Sequence, residues 1–494
     1  MKKYILSIDQ GTTSSRAILF DEKGEKVAMA QRELPLLYPH HGWVEADPTQ
    51  IWITVVDVIN EVMINGDVDW EDIDSIGLTN QRETTIIWDK KTGRPIYNAI
   101  VWQSRQSSDI CESFSNKQEY IHSRTGLLIN PYFSASKIRF ILDNVENAQE
   151  RAEKGELLFG TIDTWLIYKL TNGKNHLTDT TNASRTMLFN IHTLKWDKDL
   201  LDLFNIPASI LPKVLPCSAD YGTAAYFGRN VHIYGVAGDQ HASLFGHNCF
   251  KPGECKNTYG TGCFMLMNVG DKPVLSRNGL LTTIAWDIDG KVSYALEGSI
   301  FIGGAAIQWL RDGLKAIKSA PESDEVASQV KDSDGVYFVP AFVGLGTPYW
   351  DDEVRGSMFG ITRATNKAHI VRATLEAIAF QSKDVFDVME KESKIHIKSL
   401  QVDGGATGSN ILMQFQSDIL QIEIKKPVCL ETTALGAAYF AGLKSGFWKD
   451  VNEIKRTHSY QAAYSPKMSP KDALRKVMGW KKAVEAAKTF KLKD

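Results

Sequence analysis

Two aspartates stand beside glycine-rich turns in this chain, and together they suit phosphoryl transfer. Asp9 closes an apolar run in "ILSIDQGTTSSRAILF", Ile5 to Phe20, and Asp239 follows a small-residue run in "YGVAGDQHASLFG". Four turns offer backbone N–H groups uncovered by side chains: "DQGTTSS" from Asp9, "YGTG" from Tyr259, "GGAAIQ" from Gly303 and "DGGATGSN" from Asp403. Those leading into helices add the positive end of a helix dipole, so together they can cradle a polyphosphate. A carboxylate beside such a cradle is where a magnesium ion is held with several waters, and a second can accept a proton from an attacking hydroxyl. Each aspartate also has a plainer use, Asp9 as a turn stabiliser and Asp239 as a helix cap.

The stretch "TNQRETTIIWD" sets Arg82 beside Glu83 just before a strand. The two form either a solvated ion pair or the donor and acceptor that complement a vicinal diol. Trp102, Tyr132 and Phe264 are core residues by default. In a polyol site they would shield the carbon backbone while polar groups read the hydroxyls.

Strand-like runs such as "YILSI", "RAILF", "TTIIWD" and "IYGVAG" alternate with helical ones such as "PTQIWITVVDVINEVM" and "SNILMQFQSDIL", which predicts an α/β chain. At 494 residues two large domains are expected. The segment "CKNTYGTGCFMLMN" echoes the strand, turn and strand of the start, which places a boundary near "FGHNCFKPGE" and domains at 1–249 and 250–494. The closing "MGWKKAVEAAKTF" reads as a one-faced helix packed on its own domain.

The balance of 56 Lys+Arg against 59 Asp+Glu, without a basic stripe, disfavours nucleic acid. Six cysteines without a Cys-x-x-Cys pair disfavour a disulfide scaffold and a zinc ribbon. No run is long enough to span a bilayer and neither a signal-peptide core nor a terminal retention tag is seen, so a cytoplasmic protein is expected. Walker, dinucleotide and zinc-protease motifs are absent.

From about Tyr4 to Trp448, "SIDQGTTSSRAILF", "GLTNQRETTIIWD", "NAIVWQSRQ", "NPYFSASK", "TNASRTMLFNIHTL", "GVAGDQ", "KNTYGTGCFMLMN", "YALEGSIF", "VPAFVGLGTPYWD", "VDGGA" and "ETTALGAAYFAGL" occur in the order of a known family. The chain resembles the carbohydrate-kinase (FGGY) family, in particular members that act on glycerol. The resemblance implies two domains of the actin, hexokinase and Hsp70 type, each on a ribonuclease-H-like sheet, with a cleft between them for ATP, Mg2+ and substrate. It implies ATP-dependent phosphorylation of glycerol to sn-glycerol 3-phosphate by a homo-oligomer, dimer or tetramer.

Carried over residue by residue, Thr12, Thr13, Ser14, Arg16, Thr261, Gly304, Gln308, Gly405 and Ser409 resemble nucleotide contacts. Arg82, Glu83, Tyr132, Asp239 and Gln240 resemble the polyol site, with Trp102 and Phe264 as its apolar wall. Asp239 resembles the catalytic base, and Asp9 and Asp239 the carboxylates near the metal. The chain departs from the pattern at Phe140 where Trp is usual, at His241 where Gln is expected, and at Ser409 where Asn usually meets the nucleotide. His232 in "YFGRNVHIYG" does not fall at the position of the regulatory histidine of some relatives, and "YQAAYSPKMSP" does not show the partner-binding tail of others. A pentulose kinase of the same family is the near alternative; an ATP-dependent chaperone or actin-like assembly protein is the remote one.

Overall fold

The computed structural model describes residues 3–490; residues 1–2 and 491–494, which carry parts of the leader and retention-tag expectations, lie outside it. Two twisted sheets organise the chain. The first contains β1 (Tyr4–Gln10), β2 (Ser14–Phe20), β3 (Lys26–Glu33), β4 (Ile73–Asn80) and β5 (Ile233–Gly238), in the order β5-β4-β1-β2-β3. The second contains β6 (Cys255–Tyr259), β7 (Cys263–Gly270), β8 (Leu281–Ile288), β9 (Lys291–Ile300), β10 (Ser399–Asp403), β11 (Glu423–Pro427) and β12 (Tyr460–Tyr464), in the order β8-β9-β7-β6-β10-β11-β12. In each, the opening strand pairs antiparallel with its hairpin mate and parallel with a later strand, β1 with β2 and β4, β6 with β7 and β10. The echo between the chain start and Cys255–Asn268 is therefore a repeated topology, with a glycine turn at the same hairpin in both halves.

Local sequence explains the elements. β1 is buried along nearly its whole length because strands flank it and helices cover its faces, so "YILSI" reads as a continuous apolar run. The helix α1 (Pro48–Gly66) starts where the Asp47 carboxylate accepts from Thr49 N and Pro48 fills the first turn, and it buries Ile51, Val55, Val58, Ile59 and Val62. The final helix, here α7 (Pro470–Thr489), buries Val477, Trp480, Val484 and Ala487. Trp480 stacks on Phe380 of α4 (Lys367–Ser393) at 5.4 Å and its indole N–H donates to the Asp384 carboxylate of the same helix at 2.6 Å, so the final helix docks on its own half as expected.

Each half has a large hydrophobic cluster of its own, and a further cluster joins them. Ile5, Ile18 and Phe20 of the first sheet pack in a single cluster with Leu266 and Ala285 of the second and with Leu435, Phe440 and Trp448. The bridge is a helix, α6 (Thr432–Ser445), which lies against β1, β4 and β5 although it comes late in the chain. It crosses α2 (Asp239–Gly246) through glycines: a Cβ on Gly436 would collide with the Ala242 carbonyl, and one on Gly246 with the Thr432 carbonyl. Phe245 stacks on Phe440 at 4.2 Å beside the crossing. This contact fixes α2, and so Asp239, relative to both sheets.

Candidate active site

Strand β4 ends at Asn80 and runs straight into the Arg82–Glu83 pair. Thr84 N donates to Arg82 O at 2.7 Å across Glu83, whose φ of +61° is left-handed. Such a non-glycine residue costs on the order of 1 kcal/mol or more and persists only where surroundings hold it. Here the surroundings are charged and buried. Arg82 donates through Nη1 to Glu297 Oε2 at 2.6 Å and through Nη2 to Glu297 Oε1 at 2.9 Å and to the Tyr132 hydroxyl at 3.2 Å. Its Nε lies 3.1 Å from Asp239 Oδ1. Arg185, fully buried, donates to Glu83 Oε1 at 2.5 Å and to Glu297 Oε1 at 3.1 Å.

Arg82 and Glu83 are thus no solvated pair. Burial alone would raise the Glu297 carboxyl, but the guanidiniums of Arg185 and Arg82 hold it well below the usual range. Burial pushes Glu83 up despite the same two cations, and it pushes Tyr132 up with Glu83 adding to it. Tyr132 sits on a loop fastened from beneath by Lys137, whose ammonium donates to the Pro131, Tyr132 and Phe133 carbonyls at 2.5, 2.6 and 3.1 Å.

The aromatics assemble around this cluster. Trp102 lies 5.5 Å from Tyr132 and edge-on to Phe264 at 6.1 Å, so residues of both halves form one wall. Its indole N–H donates to Thr12 Oγ1 at 2.9 Å, which joins the wall to the first glycine turn.

Asp239 is the first residue of α2, one position inside the cap at Gly238, and its Oδ1 accepts from Gln240 N at 2.7 Å. A Cβ on Gly238 would lie 2.7 Å from Arg82 Cγ, so glycine is required for the two chain segments to pass. The Arg82, Glu83 and Glu297 side chains are nearly fully buried, whereas that of Asp239 keeps 29% exposure, the access a base would need.

Gln240 Nε2 faces Asp239 Oδ2 at 3.4 Å, and its orientation is set by the buried Lys256, whose ammonium donates to Gln240 Oε1 and, at 2.9 Å, to Thr258 Oγ1. Burial brings the Lys256 pKa down to about 8, against the opposing pull of Asp403 and Asp239.

Asp9 lies in β1 opposite Arg16, whose Nη1 stands 3.8 Å from Asp9 Oδ2 and 3.5 Å from Glu431 Oε2. Burial lifts the Asp9 carboxyl to about 6, with Arg16 lowering it and Asp239 and Glu431 raising it, so the two aspartates feel one another across the site. The turn after Asp9 is closed by Gly11 N donating to Ser14 O at 2.8 Å, with Thr12 and Ser14 part-buried and Thr13 exposed.

The other three glycine turns converge. Gly303 N and Ala305 N donate to Thr261 O at 2.8 and 3.1 Å, and Gly304 N to Gly260 O at 2.8 Å, which seats "YGTG" on the start of α3 (Gly304–Asp312). Those N–H groups are therefore spent on the turn and not held open as the bare motif suggests, while Thr261 and Gln308 remain exposed. Gly404, φ +90°, passes so close that a Cβ would lie 2.6 Å from the Tyr259 carbonyl, and Gly405 beside it faces open space. Among the described residues no group of three or more His, Cys, Asp or Glu side chains is arranged to hold a metal. A site with one or two carboxylates suits Mg2+, which keeps waters and shares substrate phosphates.

Residues 4–246 match the model of the FGGY family of carbohydrate kinases, N-terminal domain, and residues 255–445 that of the C-terminal domain. The chain belongs to this kinase family. It is 59% identical over 496 residues to the glycerol kinase of Bacillus cereus (strain AH187), covering 99% of this chain and 100% of that one. In three dimensions it is similar to Plasmodium falciparum glycerol kinase with ADP, at a TM-score of 0.91 and 38% identity over 98% of each chain. The gluconate kinase of Lactobacillus acidophilus follows the same fold at a TM-score of 0.88 and 25% identity, covering 99% of this chain and 98% of that one, so the fold by itself does not choose the substrate.

In this carbohydrate kinase the sequence motifs contained Arg185, Glu297, Lys256 and Asp403, but nothing singled them out. Asp403 accepts from Thr432 and from Ser243 at 3.2 Å, and its Oδ2 lies 3.2 Å from His247 Nε2. The kinase thereby fastens "DGGA" to α2 and α6. The signal available was a lone charge inside an apolar strand, as in "YALEGSIF" and "CKNTY", since a charge survives burial only with a partner.

As pH rises through about 8, Lys256 loses its proton and its hydrogen bond to Gln240 loses its charge assistance, so the hold on Gln240 weakens and kcat/KM for the polyol should fall on that limb. Lys256→Met should start lower, by roughly tenfold for one charged hydrogen bond, and show no such limb in its pH profile; an unchanged limb would contradict this role. Ser409 caps α5 (Asn410–Leu420): its hydroxyl accepts from Leu412 N at 3.1 Å and donates to Asp324, which also accepts from Asn410 N at 2.8 Å. The neighbouring amide side chain is the exposed Asn410, whose Oδ1 accepts from the Tyr464 hydroxyl at 2.7 Å and whose N–H groups remain to donate. Ser409→Ala should cost about 1 kcal/mol in denaturant unfolding with an ATP KM within about twofold of wild type, whereas Asn410→Ala should raise the ATP KM.

Proposed function

We propose that this carbohydrate kinase transfers the terminal phosphoryl group of ATP to a primary hydroxyl of glycerol, giving sn-glycerol 3-phosphate and ADP. One observation carries the reading: the partly exposed Asp239 carboxylate stands within the Arg82–Glu83–Tyr132 cluster under the Trp102–Phe264 wall. That is a small polyol site with a base at its edge, in a chain whose full-length relatives at 59% identity are glycerol kinases.

The Arg82 donors and the Glu83 acceptor hold the hydroxyls that do not react, and Gln240 presents its N–H groups to the reacting end. Asp239 takes the proton as the O–H bond breaks, the new O–P bond forms, and the bond from the terminal phosphorus to the bridging oxygen breaks to release ADP. Thr12, Thr13, Ser14 and Arg16 face the phosphates from the first half, and Thr261, Gly304, Gln308 and Gly405 face the nucleotide from the second. When bound, Mg2+ neutralises phosphate charge, and Asp9 and Asp239 are the carboxylates that would hold it or its waters.

The protein works in the cytoplasm as a homo-oligomer in this reading. Cysteines without disulfides support the first point, as does the fact that no helix among the described residues is long and apolar enough to cross a membrane; family resemblance supports the second. The product tests the reading. Incubated with glycerol, ATP and Mg2+, the protein should form a phosphate ester that a dehydrogenase specific for sn-glycerol 3-phosphate oxidises completely. An ester oxidised only to half, or none at all, would overturn it.

A further inference from the structure

Asp179, Thr181, Asn182 and Arg185 fall within one short turn, and every one of them is fully buried. Fully buried polar side chains persist where each is partnered, and the partners here lead to the site. Asp179 accepts from Thr181 N and Asn182 N at 2.7 and 3.1 Å, which shapes the turn. The Thr181 hydroxyl donates to Asp179 Oδ2 at 2.6 Å, so its hydrogen is spent and its oxygen is left to accept. It accepts from Gly238 N at 2.9 Å, the amide immediately before Asp239.

Asn182 makes a reciprocal amide pair with Asn80, Asn80 Nδ2 to Asn182 Oδ1 at 3.0 Å and Asn182 Nδ2 to Asn80 Oδ1 at 3.1 Å, across 102 residues of sequence. Asn80 also donates to the Gln81 carbonyl at 2.8 Å, one residue before Arg82. Gly238 and Asn80 are themselves register partners at the last rung of the parallel β4–β5 pair. The turn therefore clamps two strand ends where their own ladder stops, and Arg185 carries it on to Glu83.

We propose that Thr181 and Asn182 are positioning residues for phosphoryl transfer: by holding Gly238 and Asn80 they set the distance and direction between Asp239 and the Arg82–Glu83 pair. The proposal rests on the reading of Asp239 as base. It makes a demand that a purely structural turn does not, because misplacing a base by about 1 Å costs turnover far more than ATP binding.

Thr181→Val keeps the shape and removes the hydroxyl, while Thr181→Ser keeps the hydroxyl. Valine should lower kcat about tenfold or more with the ATP KM within about twofold, and serine should restore kcat to within about twofold of wild type. Asn182→Ala acts through the other strand and should raise the glycerol KM about tenfold, again sparing ATP. It also serves if the valine variant does not fold. Thr181→Val that lowers only the melting temperature, or a serine variant as impaired as valine, would overturn the proposal. A wild-type protein that fails to phosphorylate glycerol would overturn the functional reading instead, so the two failures are distinguishable.

Discussion

Asp239→Asn should lower kcat by roughly 10²-fold or more, the range expected when a general base is lost, while the ATP KM stays within a few-fold. The geometry explains the split. Asparagine keeps an oxygen to accept from Gln240 N, as Asp239 Oδ1 does at 2.7 Å, so the first turn of α2 and the α2–α6 crossing persist. What disappears is the ability to take the hydroxyl proton and the charge beside Arg82 Nε. Glycerol binding weakens modestly for the second reason. Steady-state kinetics with calorimetric ADP binding measure both effects, and turnover within a few-fold of wild type would remove Asp239 from the chemistry.

Arg82→Ala should reduce kcat/KM for glycerol by about 10³-fold or more while ADP affinity changes only a few-fold, because the loss falls on the polyol end. Two guanidiniums face the carboxylates of Glu83, Glu297 and Asp239, and Glu297 accepts a bidentate pair from Arg82 at 2.6 and 2.9 Å. Removing one partner from a buried charge pair typically costs about 3–5 kcal/mol, since the remaining charge is stranded. Stability should therefore fall too, and Arg82→Lys separates the two effects. Lysine keeps the charge but not the planar fork, so it should fold better than alanine yet recover little activity. Equal losses for glycerol and ADP in both variants would show that the pair is structural only.

The fold was legible in the sequence wherever a pattern is local. "YILSI", "RAILF" and "IYGVAG" form strands, and "PTQIWITVVDVINEVM" and "SNILMQFQSDIL" form helices, because periodicity and caps act over a few residues. The repeated hairpin was legible for the same reason. The destination of α6 was not, since an apolar helix face specifies burial without naming the sheet that covers it, and this one lies on strands more than 190 residues earlier in the chain.

The site divides in the same way. Arg82, Glu83, Tyr132, Trp102, Phe264, Asp239 and Gln240, drawn from five separate segments, come together around one cluster. Arg185 and Glu297 could not be read beforehand, because what distinguishes them is each other and the Arg82–Glu83 pair, across more than 100 residues. Ser409, which resembles a nucleotide contact, also has its hydroxyl engaged in a helix cap and with Asp324, a second role that only the packing of α5 reveals.

A site that phosphorylates glycerol and needs it bound for efficient transfer should release ADP only as fast as its acceptor allows. The direct measurement is the initial rate of ADP release from ATP and Mg2+ with glycerol, xylulose, gluconate or no acceptor. Glycerol should support turnover at least about 10²-fold faster than either larger acceptor if the edge-on Trp102 and Phe264 rings, 6.1 Å apart, bound the acceptor site, and release without acceptor should be near background. Xylulose or gluconate turning over as fast as glycerol, or ADP released equally fast without any acceptor, would contradict the account.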